Sequence, residues 1–192
     1  MLPVFTIIAP IYNEKENLPV LYERVSQVMD TTNEPWELVL VDDGSRDGST
    51  DMIRALAEKD ARVRPVIFAR NFGHQIAVTA GLDYSRGKAV VIIDADLQDP
   101  PELLADMMKL MDGGAEVVYG KRAERAGETL FKRATAAVFH RILRALSSVD
   151  IPVDSGDFRL MTRRVVDIFL SMPEQHRYTR GLVSWIGGSQ VA

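Results

Sequence analysis

The chain has 192 residues, 46% of them hydrophobic, and a formal net charge of −4 at pH 7. That length makes one compact domain the default and supplies enough apolar material for a sizeable core. The acidic balance argues against a general nucleic-acid binder, and the absence of cysteine excludes disulfides, thiolate zinc centres and cysteine nucleophiles.

The first elements alternate in type. Val4–Ala9 reads as a strand and Glu16–Asp30 as a helix. Trp36–Val41 reads as a strand and Ser49–Lys59 as a helix. Val63–Ala69 is a strand, His74–Ser85 a helix, Ala89–Ile93 a strand and Pro101–Met111 a helix, followed by a short strand at Glu116–Tyr119. Strands alternating with helices predict parallel βαβ units. The strand runs are nearly continuous in Val, Ile and Leu, the pattern of strands covered on both faces. The expected fold class is therefore α/β, a mostly parallel sheet with helices on both faces.

After about Gly120 the pattern changes. Glu128–Ser148 reads as a long helix. Then come the segment Asp154–Met161, a helix near Arg163–Ser171 and the basic stretch Arg177–Gly181. No Pro/Gly/Ser linker divides the two parts, so a single domain over 1–192 is expected, with halves 1–120 and 121–192. The chain starts on a strand-like run without a basic leader. No apolar stretch approaches the roughly 18 residues that span a bilayer. The expectation for the chain as it stands is a soluble, cytoplasmic protein.

In open α/β sheets, ligands bind beyond the carboxyl ends of the strands. Polar residues recur there. The first strand is followed by Pro10-Ile11-Tyr12-Asn13-Glu14, and the second by Asp42-Asp43-Gly44-Ser45-Arg46-Asp47-Gly48-Ser49. The third is followed by Arg70-Asn71-Phe72-Gly73-His74-Gln75, the fourth by Asp94-Ala95-Asp96-Leu97-Gln98-Asp99-Pro100-Pro101-Glu102, and the fifth by Gly120-Lys121-Arg122. Asp94 and Asp96 are the most informative pair. Two carboxylates one residue apart at the end of a buried strand raise each other's pKa or recruit a cation. A hard divalent metal that also holds phosphate oxygens answers both problems. Taken singly, the motifs have plainer readings. Asp-Gly pairs are turn chemistry, Ser49 or Thr50 is a helix N-cap, Asp94 and Asp96 are a solvated strand end, and Pro100-Pro101 starts a helix. Their recurrence at all five strand ends points to a metal–nucleotide site. The three histidines, His74, His140 and His176, are too dispersed for a His-rich metal centre.

These motifs, in this order, resemble family 2 inverting glycosyltransferases of the GT-A (Rossmann-like) fold. The closer resemblance is to the polyprenyl-phosphate hexosyltransferases, among them dolichol-phosphate mannose synthase and bacterial undecaprenyl-phosphate glucosyltransferases. The resemblance covers nearly the whole chain and implies roles residue by residue. Pro10, Tyr12 and Glu14 would line the nucleotide pocket, and Asp42 or Asp43 would accept hydrogen bonds from the base or ribose. Asp94 and Lys121 would lie near the nucleotide sugar. Asp96 and Gln98 would hold Mg²⁺ or Mn²⁺ with the diphosphate. Asp157 stands where such enzymes carry their candidate base, so Asp157 and Asp96 are the catalytic candidates. Arg122, Arg159, Arg177 and Arg180 would meet the acceptor phosphate. Asp99 resembles the glucosyl-transferring relatives, so the implied donor is UDP-glucose, with GDP-mannose or a modified UDP-sugar as alternatives. A catalytically silent nucleotide-sugar-binding module is a further alternative.

The chemistry fits these residue types independently. Displacing a nucleotide from an anomeric carbon leaves a diphosphate with growing negative charge, which a divalent metal stabilises as a Lewis acid. The sugar passes through an oxocarbenium-like state. A lipid phosphate is already anionic near neutral pH, so a strong base is not obligatory and Asp157 is read either as base or as orienting group. Phosphatases with an Asp-x-Asp nucleophile and phosphoacceptor signalling domains place their acids after the first strand. Here the pairs follow the fourth and the second.

Residues 130–146 carry Lys132, Arg133, Arg141 and Arg144 with no acid, and Phe131, Ala134, Val138, Ile142 and Leu146 at helical spacing. A basic amphipathic helix of this kind lies in a membrane interface or packs on the sheet with a solvated basic face. The resemblance favours the membrane surface, at the cytoplasmic face of the inner membrane, with a polyprenyl phosphate lipid as acceptor. Many bacterial relatives continue into C-terminal transmembrane helices, whereas this chain stops at Gly187–Ala192, beyond the apolar Leu182–Ile186 stretch, so a truncated chain is expected, with a short natural form as the alternative. A homo-oligomer is compatible with the sequence, and nucleic acid is not an expected partner.

Overall fold

The computed structural model describes residues 2–121, 155–175 and 177–192, with Lys121 and Ser155 described by their backbone alone. The long helix expected over 128–148, together with Arg122, Lys132, Arg133, Arg141 and Arg144, lies outside the described residues.

In chain order, the elements are β1 (Phe5–Ile11), α1 (Leu18–Thr31), β2 (Trp36–Asp42), α2 (Ser49–Lys59), β3 (Val63–Ile67), α3 (His74–Tyr84) and β4 (Ala89–Ile92). A 3₁₀ turn at Pro101–Leu103 leads into α4 (Leu104–Asp112). Then follow β5 (Val117–Lys121), β6 (Ser155–Thr162), α5 (Arg163–Ser171), α6 (Thr179–Ile186) and β7 (Gln190–Val191). Among the described residues the strands form one seven-stranded sheet in the order β3-β2-β1-β4-β6-β5-β7. Neighbouring strands run parallel except where β6 lies antiparallel between β4 and β5. Pro65 falls in β3, at the sheet edge, where its missing N–H costs no ladder bond.

The two faces are read out residue by residue, because successive side chains of a strand point opposite ways. Ile7, Ala9, Ile11, Leu38, Leu40 and Val91 pack with Leu21 and Val25 of α1, Ile53 of α2 and Leu104 of α4. Ile8, Val39, Val41, Val90 and Ile92 pack with Ala77 and Val78 of α3, Val165 and Phe169 of α5 and Val183 of α6. The result is a three-layer α/β/α sandwich. On the second face α3 approaches so closely that a Cβ at Gly81 would collide with Ile8.

The departure from the sequence reading is β6. Ser155-Gly156-Asp157-Phe158-Arg159-Leu160-Met161-Thr162 contains a glycine, an acid and an arginine, which hide a central strand. In the sheet, Phe158 and Leu160 join the first core and Met161 the second. Asp157 and Arg159 share Met161's parity and so face the layer of α3, α5 and α6.

Candidate active site

The chain passes from β1 outward through β2 and β3, then returns to place β4 on the other side of β1. The carboxyl ends of β1 and β4 therefore flank the switch point of the sheet, where loops diverge and leave a crevice. A cleft of about 320 Å³ opens there, lined by Tyr12 and Glu14 from the β1 end, Asp43 from the β2 end, and Gly73 and His74 at the start of α3. Pro10, Asn71, Asp94 and Asp96 complete its polar and turn-bearing wall.

Most of the acidic loop after β2 is scaffolding. Asp42 is fully buried and accepts from the Ser45 N–H at 2.9 Å and from the Thr50 hydroxyl. Both its oxygens are thus used by the chain itself, and it lies beneath the cleft wall. Asp47 accepts from Ser49 N–H at 3.0 Å and Lys15 N–H at 3.0 Å. The Ser45 hydroxyl accepts from Asn13 N–H at 2.9 Å, while the Asn13 side chain accepts from Arg46 N–H at 2.8 Å. The loops after β1 and β2 are stitched into one unit by these bonds. Gly44 has φ +74°, and a Cβ there would meet the Arg70 carbonyl carbon at 2.5 Å. A glycine is needed because the β3 loop crosses directly over it.

Asp43 does reach the cleft. It accepts from Phe72 N–H at 2.7 Å and Gly73 N–H at 2.9 Å. These N–H groups belong to the two residues just before α3, so Asp43 fixes the turn into that helix and sets a negative charge at its amino end, the favourable sign. Each of its oxygens keeps a lone pair for a ligand.

Asp94 and Asp96 stand opposite. Burial pushes the Asp94 carboxyl up to about 6, reinforced by Asp99, Asp157 and Asp96 and only partly offset by His74. Asp96 is exposed, and one of its oxygens accepts from the Gln98 N–H at 3.0 Å. Between them and Gln98, Leu97 holds φ +62°, a left-handed conformation unusual for a non-glycine residue. Leu97 packs against the first core cluster, which anchors that turn. The Gln98 side chain, expected as a metal ligand, is exposed and does not line the cleft.

The fit to a divalent metal rests on this un-neutralised acid. Among the described residues no three His, Asp or Glu side chains are arranged to hold a metal by themselves. Mg²⁺ commonly binds through one or two carboxylates with substrate phosphates and water completing its shell. The exposed Asp96 beside a carboxyl whose ionisation is penalised suits that arrangement.

Behind Asp94 lies a second group that sequence reasoning did not assemble. Asp157, buried on β6, accepts from Gln75 Nε2 at 3.3 Å and lies 3.0 Å from His74 Nε2 through the same oxygen, Oδ2. Its other oxygen, Oδ1, lies 3.2 Å from Arg180 Nε and 3.8 Å from Arg159. Burial works to raise the Asp157 pKa, but the His74 hydrogen bond and the charges of Arg180 and Arg159 outweigh it and hold the carboxyl below its usual range. His74 also lies 3.8 Å from Asp94, so it connects the two acidic groups. Its pKa is raised, first by the Asp157 hydrogen bond and then by the charges of Asp94 and Asp157, against burial and Arg180. Arg159 is buried and pulled down to about 10 by desolvation. His74 and Gln75 belong to the polar stretch after β3, but nothing local marks them as partners of a residue more than eighty positions later.

Arg177 departs from its expected place at a phosphate. Its guanidinium donates to the carbonyls of Leu170 (3.1 Å), Met172 (2.9 Å) and Glu174 (3.0 Å), capping the end of α5. Lys121 ends β5 at the sheet's carboxyl rim.

An open, mostly parallel sheet with an acidic cleft at its switch point is an α/β architecture of the GT-A type. The chain belongs to glycosyl transferase family 2, whose sequence profile matches residues 6–169. It is 50% identical over 188 residues to the uncharacterized glycosyltransferase YkcC of Bacillus subtilis, covering 98% of this chain and 58% of that protein. It is 39% identical to the bactoprenol glucosyl transferase of Shigella phage SfV, covering 95% of this chain and 60% of that one. The chain thus spans less than two thirds of the length of either relative. Among solved structures, the Pyrobaculum calidifontis mannosyltransferase PcManGT, in complex with GDP-Man and Mn²⁺, superposes with a TM-score of 0.66 at 21% identity. The match covers 100% of this chain and 55% of that one.

Proposed function

We propose that this chain is the catalytic domain, 1–192, of an inverting, metal-dependent glycosyltransferase. It moves a hexose, glucose from UDP-glucose, to a polyprenyl phosphate at the cytoplasmic face of the inner membrane. The observation that carries the reading is the acidic pair Asp94 and Asp96 on the wall of the switch-point cleft, joined through His74 to the Asp157–Arg180 pair behind it. The glucosyl assignment draws on the bactoprenol glucosyl transferase relative at 39% identity.

In this reading Tyr12, Pro10 and Glu14 line the nucleotide side and Asp43 offers its spare lone pairs to base or ribose. Asp96 would hold Mg²⁺ or Mn²⁺ with the diphosphate, and Asp94 lies beside it. When bound, the metal supplies Lewis-acid stabilisation of the departing diphosphate. An acceptor phosphate oxygen attacks the anomeric carbon as the bond to the diphosphate oxygen breaks, and the electron pair leaves with the nucleotide. Because that phosphate is already ionised, no proton has to be removed. A carboxylate held below its usual range is a weak base, which favours the orienting role for Asp157: it holds Arg180 at 3.2 Å, while Arg159 is buried and donates to the carbonyls of Gly156 and Asp157.

The test is a panel of nucleotide sugars, UDP-glucose and GDP-mannose among them, with and without Mn²⁺ or Mg²⁺, and a short-chain polyprenyl phosphate as acceptor. Metal-dependent glucosyl transfer is the expected result. Binding of UDP without transfer from any donor would leave only the silent-module alternative.

No helix among the described residues is long and apolar enough to cross a membrane. The basic stretch 130–146 is proposed to contribute to membrane attachment. Neutralising Lys132, Arg133, Arg141 and Arg144 together should reduce sedimentation with anionic vesicles. Each cation near an anionic surface contributes about 1 kcal/mol, so a loss of tenfold or more is expected, and unchanged binding would refute the interface role.

A further inference from the structure

We infer that Gln75 is a positioning residue that ties the acceptor-side arginine to the donor cleft, by clamping one oxygen of Asp157 and the amino end of α6 at the same time. The inference rests on the glycosyl-transfer reading for its kinetic consequence, but its geometry stands independently of it.

Gln75 Oε1 lies 2.9 Å from the Thr179 backbone nitrogen and 2.7 Å from the Thr179 hydroxyl. A backbone N–H only donates, so the amide oxygen must face Thr179. Its Nε2 then faces Asp157 Oδ2 at 3.3 Å, and an ionised carboxylate only accepts. Both ends of the amide are therefore assigned by chemistry, and the side chain has one orientation. Thr179 is fully buried, and its neighbour Arg180 reaches back to Asp157 Oδ1 at 3.2 Å. Gln75, Asp157, Arg180 and Thr179 form a closed circuit linking α3, β6 and α6. Its consequence is a division of labour on the carboxylate. Oδ2 is taken by His74 and Gln75, so Oδ1 alone meets Arg180, whose position is then set by the first turn of α6. Losing Gln75 frees the carboxylate to rotate and Arg180 to move from the place where an anionic acceptor would meet it.

Gln75→Glu separates this role from a merely structural one. The glutamate keeps an acceptor for Thr179 but sets carboxylate against carboxylate at Asp157. The assay uses Mn²⁺ with UDP-glucose and a ten-carbon isoprenyl phosphate, alongside UDP binding by titration calorimetry. Q75E should raise the acceptor KM tenfold or more, while UDP affinity stays within about twofold. Thr179→Val, which keeps the backbone donor and loses only the hydroxyl, should show the same change at a few-fold. An unchanged acceptor KM in Q75E, or a parallel loss of UDP affinity, would overturn the inference. A thermal-stability cycle with Asp157→Asn scores the clamp even without turnover. The Tm lost in Q75E should largely disappear when residue 157 carries no charge, and an equal loss in both backgrounds would also overturn it. If the wild-type chain transfers no sugar, the functional reading fails, and this cycle still decides the clamp.

Discussion

The sheet carries a carboxylate withdrawn from water at each end, Glu37 buried and Asp94 half-buried, and the two are treated in opposite ways. At the amino ends of β1 and β2, Glu37 is almost fully buried and accepts from the Thr6 hydroxyl at 2.7 Å and Arg86 Nε at 2.8 Å, with Arg64 at 3.2 Å. Burial opposes its ionisation, but the Arg86 and Thr6 hydrogen bonds and the Arg64 charge prevail and lower its pKa. At the carboxyl ends, Asp94 is pushed up to about 6 because burial and three further acids outweigh its one nearby histidine. One end satisfies its charge from within the chain, and the other leaves a charge for something that is not part of the chain. An acid cluster whose cations fall short of its charge is a binding device, whereas one fully supplied with them is a brace.

The largest test of that contrast is at the cleft. Asp96→Ala should abolish metal-dependent transfer by about 10³-fold, since a metal at a developing anion supplies several kcal/mol. Its Tm should barely move, because the side chain is exposed and holds only its own turn. A stable variant with near-normal turnover would remove Asp96 from the proposed metal site.

The mirror experiment is Glu37→Gln. The substitution weakens charge-assisted hydrogen bonds to Arg86 and Arg64, which are themselves partly exposed, and costs about 2 kcal/mol. Urea unfolding should show that loss, with the KM values of the remaining folded enzyme unchanged. The pH dependence follows from the sign of the shift. Glu37 is depressed when folded, so its contribution is complete above the ordinary value of 4.5 and fades as pH falls below it. Acid unfolding of the wild type should therefore begin earlier than that of E37Q relative to each protein's stability at pH 7.

The smallest effect has the opposite sign. Asp94 is raised when folded, so the stability it allows is complete below the ordinary value of 3.8 and is lost as pH rises through about 6. In metal-free protein at pH 7, Asp94→Asn should gain on the order of 1–2 kcal/mol, taking the shift at about 1.4 kcal/mol per unit and discounting for partial solvent access. The gain should shrink below pH 5, and it should be accompanied by weaker Mn²⁺-dependent UDP binding. A destabilised Asp94→Asn would mean that this carboxylate braces the fold as Glu37 does.

Much of this was legible in the sequence. The four βα units, their helices and the five strand-end motifs are local patterns within ten or so residues, and periodicity reports them well. Asp43, Asp94 and Asp96 follow their strands in sequence and line the cleft. The same local patterns could not say that Asp42, Asp47, Asn13 and Ser49 would spend their polar groups on neighbouring residues of the β1 and β2 loops and the start of α2. Turn chemistry and ligand chemistry use the same residue types.

Residue order alone, then, determined the α/β class, the strand ends that carry the acidic pairs, and the family. Tertiary structure decided β6, the clamp of His74 and Gln75 on Asp157, and the turning of Arg177 onto the end of α5. The physical reason is range. An amphipathic helix or a buried strand is stabilised by its own repeat, but Asp157 and His74 meet across 83 positions. They meet only because the sheet inserts an antiparallel strand beside β4, and that depends on which surfaces are left to bury after the first four strands have paired.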